Sequence, residues 1–484
     1  MTLVTDTPAP FPTTEAPLIS EVPRGTLFRF ATAGSVDDGK STLVGRLLHD
    51  SKAILADQLE AVTRTSSERG FGGAAGGIDF ALLTDGLRAE REQGITIDVA
   101  YRYFATAARS FILADCPGHV QYTRNMVTGA TTADAVIMLI DARKGVLEQT
   151  RRHLSVVALL RVPHVIVAVN KIDLLQYDEL AYREVEASVR QVAAELGIGA
   201  DGRGSDGRGS LHVIPVSALV GDNVVDRSPL TPWYDGPSLL ELLEALTVID
   251  DLDENGRATE DFRLPVQLVL RPQGAVVVDP ELADSFRDYR AYAGQVASGS
   301  IRVGDAVTVQ PGGGTSVVTG IDFAGVELDE AFAPQSVALR LADELDIARG
   351  AVIAAAGTLP GVTRSLDAEL FWLDPRPLAA GARVLVKFGT TVVQALVAEV
   401  TGRLDLTTLA VQPATTLAVN DIGQASIRLS RDLPIERYAD NRRSGAFLVI
   451  HPQDGSTLAA GIVTVPGPLT GAGDGSGAGS EVSP

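Results

Sequence analysis

The stretch that most restricts this chain is Gly34-Ser-Val-Asp-Asp-Gly39-Lys40-Ser41-Thr42. It fits G-x-x-x-x-G-K-[ST], the phosphate-cradling loop between a strand and a helix. Ahead of it, TLFRFATA (Thr26 to Ala33) alternates as a strand does, and behind it STLVGRLL has the spacing of an amphipathic helix. Gly34 and Gly39 let the backbone wrap a phosphate with no Cβ in the way. Ser35, Val36, Asp37, Asp38 and Thr42 complete the loop and the start of the helix, which aim N–H groups and a helix dipole at the anion. Lys40 would reach the β- and γ-phosphates, and the Ser41 hydroxyl would sit on Mg²⁺. An ordinary glycine-containing β–α turn is the plainer alternative. With strand, loop and helix all in place, binding of a nucleoside triphosphate is the expectation.

Two later loops define which triphosphate. RSFILAD (Arg109 to Asp115) reads as a strand that delivers Asp115 at its carboxyl end, followed by Cys116-Pro117-Gly118-His119. D-x-x-G is common in turns, but behind a phosphate loop, at the end of a strand, it stands where an α/β sheet places its ligands. Asp115 could then hold Mg²⁺ through water, and the Gly118 N–H could meet the γ-phosphate. HVIVAVN ends a further strand at Asn170 and gives Asn170-Lys171-Ile172-Asp173. The Asp173 carboxylate can accept from guanine N1–H and N2–H₂, whereas adenine offers neither donor there. Leaving such a carboxylate unpaired costs about 1–3 kcal/mol, so sites of this kind discriminate strongly. Asn170 would brace the loop and Lys171 would lie along the base. Ser217-Ala218-Leu219, after the strand LHVIPV, is placed for backbone contact with the base. GTP is expected over ATP.

The 484 residues are too many for one core. The expected organisation is a mobile arm over 1–24, a GTP-binding α/β domain with a mostly parallel sheet over 25–250, two small antiparallel β-barrels over 258–358 and 364–465, and a Gly/Ser-rich disordered tail over 466–484. The barrels are read from short β-rich runs separated by Gly-rich turns, where the helical period vanishes. The loop from Ser51 to Gly94 is long enough to be functional or mobile. The tandem DGRGS repeat at Asp201 to Ser210 reads as a flexible insertion. A net charge of −20 disfavours non-specific binding to nucleic acid or an anionic membrane. A lone cysteine, Cys116, points to a reducing compartment. No apolar run approaches the roughly 18 residues of a membrane span, and the N-terminus lacks a signal-peptide pattern. A soluble, cytoplasmic protein is expected.

By Asp173 the sequence resembles the elongation-factor-like GTPases, and within them the GTPase subunits of bacterial sulfate adenylyltransferase. The resembling segments are GSVDDGKSTLVGRLLHDSK at Gly34, ALLTDGLRAEREQGITIDVAYRYF at Ala81 and PGHVQYTRNMVTGATTADAVIMLIDARKGVLEQTRRH at Pro117. Matches continue through YAGQVASGSIRVGD at Tyr292 to the RYADNRRSGAFLVI stretch at Arg437. The resemblance implies that Thr96 is the switch threonine meeting Mg²⁺ and the γ-phosphate. It implies that His119 orients the attacking water, a structural imidazole being the alternative. Arg88, Arg91 and Glu92 either contact a partner or lie on a solvated helix. Cys116 stands where the family has Thr or Ala, and either packs as a small apolar residue or makes the turn redox-sensitive. The DGRGS repeat and the segment from Pro272 to Asp288 look like extra length. No second phosphate loop follows the barrels, so an adenylylsulfate kinase activity is not expected here.

The resemblance implies that GTP hydrolysis drives ATP and sulfate to adenosine 5′-phosphosulfate and pyrophosphate on a separate small catalytic subunit, the first step of sulfate assimilation. Two other readings stay open. One is an elongation-factor-like carrier of aminoacyl-tRNA, which would want basic and aromatic barrels, whereas ADELDIA and ELDEAFA are acidic. The other is a GTP-dependent regulatory binding protein with no coupled chemistry.

Overall fold

The computed structural model describes residues 27–35, 37–52, 60, 62–66, 78–83, 99–116, 123–199, 210–248, 260–272, 288–359, 361–405, 408 and 410–467. The N-terminal arm, Val36, Arg88, Arg91, Glu92, Thr96, Pro117, Gly118, His119, the DGRGS repeat, most of the Pro272–Asp288 segment and the tail beyond 467 lie outside the described residues.

The first domain is built on six strands: β1 (Leu27–Gly34), β2 (Ala100–Ala105), β3 (Ser110–Asp115), β4 (Ala135–Asp141), β5 (His164–Asn170) and β6 (Ser210–Pro215). They lie in the order β2-β3-β1-β4-β5-β6, parallel except that β2 runs against β3. All seven residues of β4, AVIMLID, are buried. A near-continuous apolar run is what a parallel strand needs when helices cover both faces. The helices are α1 (Lys40–Asp50), α2 (Thr123–Thr131), α3 (Glu148–Leu159), α4 (Glu179–Glu195) and α5 (Leu239–Ala245). α1 and α5 pack on one apolar cluster, and α2, α3 and α4 on the other. α5 begins with a capping box in which Ser238 and Glu241 satisfy each other's backbone N–H groups. Parallel pairing lines up the carboxyl ends of the strands, so Gly34, Asp115, Asp141 and Asn170 all emerge at one edge of the sheet.

Two antiparallel units follow. In the first, Arg263–Pro265 pairs with Val352–Ala355, and Leu268–Leu270, on the same run of chain, pairs with Ala291–Gln295. The path through the intervening strands therefore returns to its start. In the second, Arg383–Phe388 pairs with both Ala446–Ile450 and Thr391–Leu404, which closes a ring of six strands. Both rings conform to the barrels expected from the sequence.

The three parts are tied together by one turn of the second barrel, residues 436–443. Tyr438 Oη donates to the Leu160 carbonyl at the end of α3 (2.7 Å) and accepts from Arg442 Nε (3.2 Å). Arg442 reaches the carbonyl of Thr131, the last residue of α2. From the same turn, Asn441 donates to Ser298 Oγ (2.9 Å) and Arg443 to the Ala297 carbonyl (2.6 Å), both in the first barrel. Glu436 pairs at 2.7 Å with Arg263, whose side chain is 3% exposed and also bonds Thr358 twice. The α2–α4 cluster extends into the second barrel through Phe371 and Ile422.

Glu436→Ala removes the close partner of the buried Arg263 guanidinium and leaves it only the exposed Asp261 carboxylate, 3.8 Å away. Removing one partner of a buried ion pair costs about 3–5 kcal/mol. The expected outcome is a lower urea midpoint, largely recovered in Glu436→Leu combined with Arg263→Met. An unchanged midpoint in the single variant would mean that the pair does not fix the barrels together.

Candidate functional site

The phosphate loop is shaped by residues that accept its backbone. Gly39 has φ 92° and opens α1. A Cβ there would come within 2.5 Å of Asn170 Nδ2, so glycine is needed for both conformation and space. Asp38 is buried, and its Oδ2 accepts the Ser35 N–H at 2.7 Å, closing the loop on itself. Lys40 lies beneath the loop and donates to the Gly34 and Ser35 carbonyls at 2.9 and 3.0 Å. Burial depresses the Lys40 ammonium pKa, while Asp115 and Asp38 pull it back. Burial also raises the pKa of the Asp38 carboxyl, against the Ser35 N–H and Lys40.

Two buried atoms in this loop, Ser35 Oγ and Asp38 Oδ1, have no hydrogen-bond partner among the described residues. The Ser35 hydroxyl is a donor of the kind a phosphate oxygen takes. Asp38 Oδ1 is an acceptor and would repel an anion, an effect that shrinks as burial favours the neutral carboxyl.

The N-K-x-D loop grips the phosphate loop directly. Asn170 Nδ2 donates to the Asp38 carbonyl at 2.8 Å, and Asn170 Oδ1 accepts the Ala218 N–H at 2.9 Å. Lys171, in the left-handed region at φ 65°, donates to the Asp37 carbonyl and pairs with Asp141 at 3.1 Å. Two consecutive side chains thus hold two consecutive carbonyls. Asp141 also takes the Arg143 guanidinium at 2.6 Å, and these cations hold its carboxyl well below the usual range although burial opposes them. Asp173 is partly buried, and its carboxylate makes no hydrogen bond among the described residues.

Other expected residues fall as follows. Ser41 and Thr42 are partly buried in the first turn of α1. Asp115 is buried beneath the loop, where its Oδ1 accepts from Thr32 Oγ at 2.7 Å. Ser217 is buried, its hydroxyl accepting the Val220 N–H at 3.2 Å, while Leu219 is half exposed. Cys116 is fully buried in the α2–α4 cluster, and burial raises its thiol pKa far above the ordinary range. Of the two alternatives for this residue, packing as a small apolar group is the one observed. Its sulfur sits 2.4 Å from where a Cβ on Gly129 would lie, so this glycine lets α2 come close.

Three residues that sequence reasoning missed take part. Thr32 holds Asp115, Asp141 orients Lys171, and Arg46 of α1 donates to the Ala218 and Leu219 carbonyls beyond β6. The position of Arg46 on a helix face carried no sign of a partner 172 residues away.

Among the described residues, no three His, Cys, Asp or Glu side chains cluster as metal ligands. Ser41 and Asp115 supply hard oxygen donors, which suit Mg²⁺ when most of its ligands come from phosphates and water. No helix of the described residues is long and apolar enough to cross a membrane.

The family model described as the elongation factor Tu GTP binding domain matches residues 26–252. The one described as GTP-eEF1A C-terminal domain-like matches residues 365–464. The bifunctional enzyme CysN/CysC of Mycobacterium tuberculosis is 48% identical over 440 residues, 90% of this chain and 67% of that protein. Sulfate adenylyltransferase subunit 1 of Teredinibacter turnerae is 45% identical over 439 residues, 91% of this chain and 87% of that protein. Among solved structures, sup35 complexed with GDP is 24% identical, covering 94% of this chain and 98% of that one, with a TM-score of 0.40.

Asn170→Ala unties both loops at once and strands buried groups on each side. At about 1–3 kcal/mol per stranded group, the expected outcome is at least roughly tenfold weaker binding of a fluorescent GTP analogue. Faster amide exchange in residues 37–40 and 217–220 should accompany it. Unaltered affinity would mean that the clamp does not shape the site.

Proposed function

This chain belongs to the sulfate adenylyltransferase subunit 1 family, and we propose that it is the GTP-hydrolysing subunit of that enzyme, acting with a separate small catalytic subunit. GTP hydrolysis here would drive the attack of sulfate on the α-phosphorus of ATP, which forms adenosine 5′-phosphosulfate and releases pyrophosphate. The observation that carries the reading is the clamp of Asn170 and Lys171 on the phosphate loop, which joins a guanine-type loop and a triphosphate-type loop into one unit. Making a sulfate–phosphate anhydride is uphill, so coupling to a second hydrolysis is physically sensible. A reducing, cytoplasmic setting agrees with a single, buried cysteine.

In this reading the Asp173 carboxylate accepts from guanine N1–H and N2–H₂, Lys171 flanks the base, and Ala218 and Leu219 contact it through their backbone. Lys40 turns from the loop carbonyls to the β- and γ-phosphates. Ser41, Asp115 and Thr96 would hold Mg²⁺, which neutralises charge developing on the phosphates. His119 would orient the attacking water, and Gly118 would meet the γ-phosphate. Coupling requires the nucleotide state to bias a partner between two arrangements. Support for such a route lies in the 436–443 turn. α2, which follows the D-x-x-G loop in the chain, and α3, which follows Asp141, both end on its side chains.

The decisive assay follows pyrophosphate release from ATP and sulfate by this chain with its small subunit, with and without GTP. GTP should stimulate release, and Lys40→Ala should abolish both GTP binding and the stimulation. No effect of GTP on an active complex would overturn the reading. Asp173→Asn should shift preference towards xanthine nucleotides, whose extra carbonyl suits an amide donor. Retained preference for GTP in a competition assay would remove the base-recognition role.

A further inference from the structure

The outer surface of the second barrel carries a face that the nucleotide site does not explain. Along Arg383–Phe388 and Thr391–Leu404, alternate side chains point inward. Val384, Val386, Val393, Ala395 and Val397 are core. Period-two alternation should therefore leave polar residues outside. Pairing instead sets Arg383, Leu396 and Arg428 side by side across three adjacent strands. In the next row Leu385 lies opposite Ile450 and Gln394, and in the one beyond Lys387 lies opposite Leu448 and Val392. Leu448 and Val392 are 39% and 48% exposed. Residues of the first two rows line a shallow recess of about 460 Å³, with Pro452 at its rim.

The charge on this face is as unusual as its apolarity. Elsewhere on the same barrel Arg364, Arg376 and Arg437 each pair with an aspartate within 3 Å. Arg383, Lys387 and Arg428 form no ion pair within 4 Å among the described residues. The row beyond Arg428 does hold Asp367 and Glu399, and Ser426 Oγ donates to Asp367 at 2.5 Å. On a chain of net charge −20, unpaired cations around exposed aliphatic side chains form a local surface opposite in sign to the whole.

We propose that this face docks a protein partner whose contact surface has an aliphatic centre rimmed by Asp and Glu, and that the partner is the separate catalytic subunit. The identity of the partner rests on the proposed function; the chemistry of the surface does not. An apolar centre with a charged rim is the anatomy of protein interfaces, and the rim sets encounter rate and salt dependence. A single-stranded nucleic acid would want aromatic stacking platforms, and no ring lies in these rows. An acidic partner would meet repulsion over most of this chain, so the basic face also selects the orientation of docking.

The test measures binding of the purified catalytic subunit to the full chain by sedimentation velocity and calorimetry, at low and high salt. Arg383→Glu combined with Arg428→Glu changes only exposed side chains, so the fold and GTP turnover should be retained. The expected result is binding to the natural chain that weakens with salt, and roughly tenfold or greater loss in the double variant. Equal binding by both chains overturns the docking assignment alone. Failure of the natural chain to bind the subunit overturns the proposed function and this assignment with it. Self-association of the natural chain, abolished by the same substitutions, would assign the face to a second copy instead and also overturns the proposal.

Discussion

The Asn170 side chain is the interaction on which the nucleotide site depends. An amide is neutral, donates at one end and accepts at the other. Here each end is used once, on the loop after β1 and on the loop after β6. Those loops come from strands separated in the sheet by β4 and β5. A charged residue could serve only one of them, and a shorter one could not span them. The same geometry explains Gly39: its missing side chain makes room for the amide nitrogen that bonds Asp38. The phosphate loop is thus held from above by Asn170 and Lys171 and from below by Lys40.

Much of this was legible in the chain because the relevant signals are local. G-x-x-x-x-G-K-S, D-x-x-G and N-K-x-D each lie within nine residues of sequence, and each marks the end of a strand. The fully apolar β4 announced a parallel sheet covered on both faces. Partners far apart in sequence were not legible. Thr32 to Asp115 and Arg46 to Ala218 are 83 and 172 residues apart, and nothing in either local pattern encodes them. The alternatives for Cys116 could not be separated without knowing that Gly129 on α2 leaves room for its sulfur. The RYADNRR stretch was visible only as part of a resemblance. Its role comes from side chains that reach three domains at once, which depends on how the domains pack. Likewise, alternation identified the strands of the second barrel without revealing that its outer rows would be aliphatic and basic.

The barrels and the GTP-binding domain meet through two kinds of contact with different mechanical properties. The apolar patch of Phe371 and Ile422 against the α2–α4 cluster is non-directional. It tolerates small displacements with little loss. The bonds from Tyr438 and Arg442 are directional and end on the carbonyls of Leu160 and Thr131, at the C-termini of α3 and α2. Helix C-termini leave such carbonyls without intrahelical partners, so the turn binds them without breaking either helix, and a cation there agrees with the helix dipole.

A displacement of α2 or α3 along its axis would change the directional bonds first, while the apolar patch kept the domains together. That division of labour suits a device that reports the state of one domain to another without dissociating. The Arg263–Glu436 pair, whose glutamate is the first residue of the same turn, would carry such a displacement into the first barrel as well, because opening it leaves the buried guanidinium only the exposed Asp261 carboxylate, 3.8 Å away. Under the proposed coupling, movement of the helix ends would be met by both barrels, and a partner seated on either barrel would sense the nucleotide without touching it.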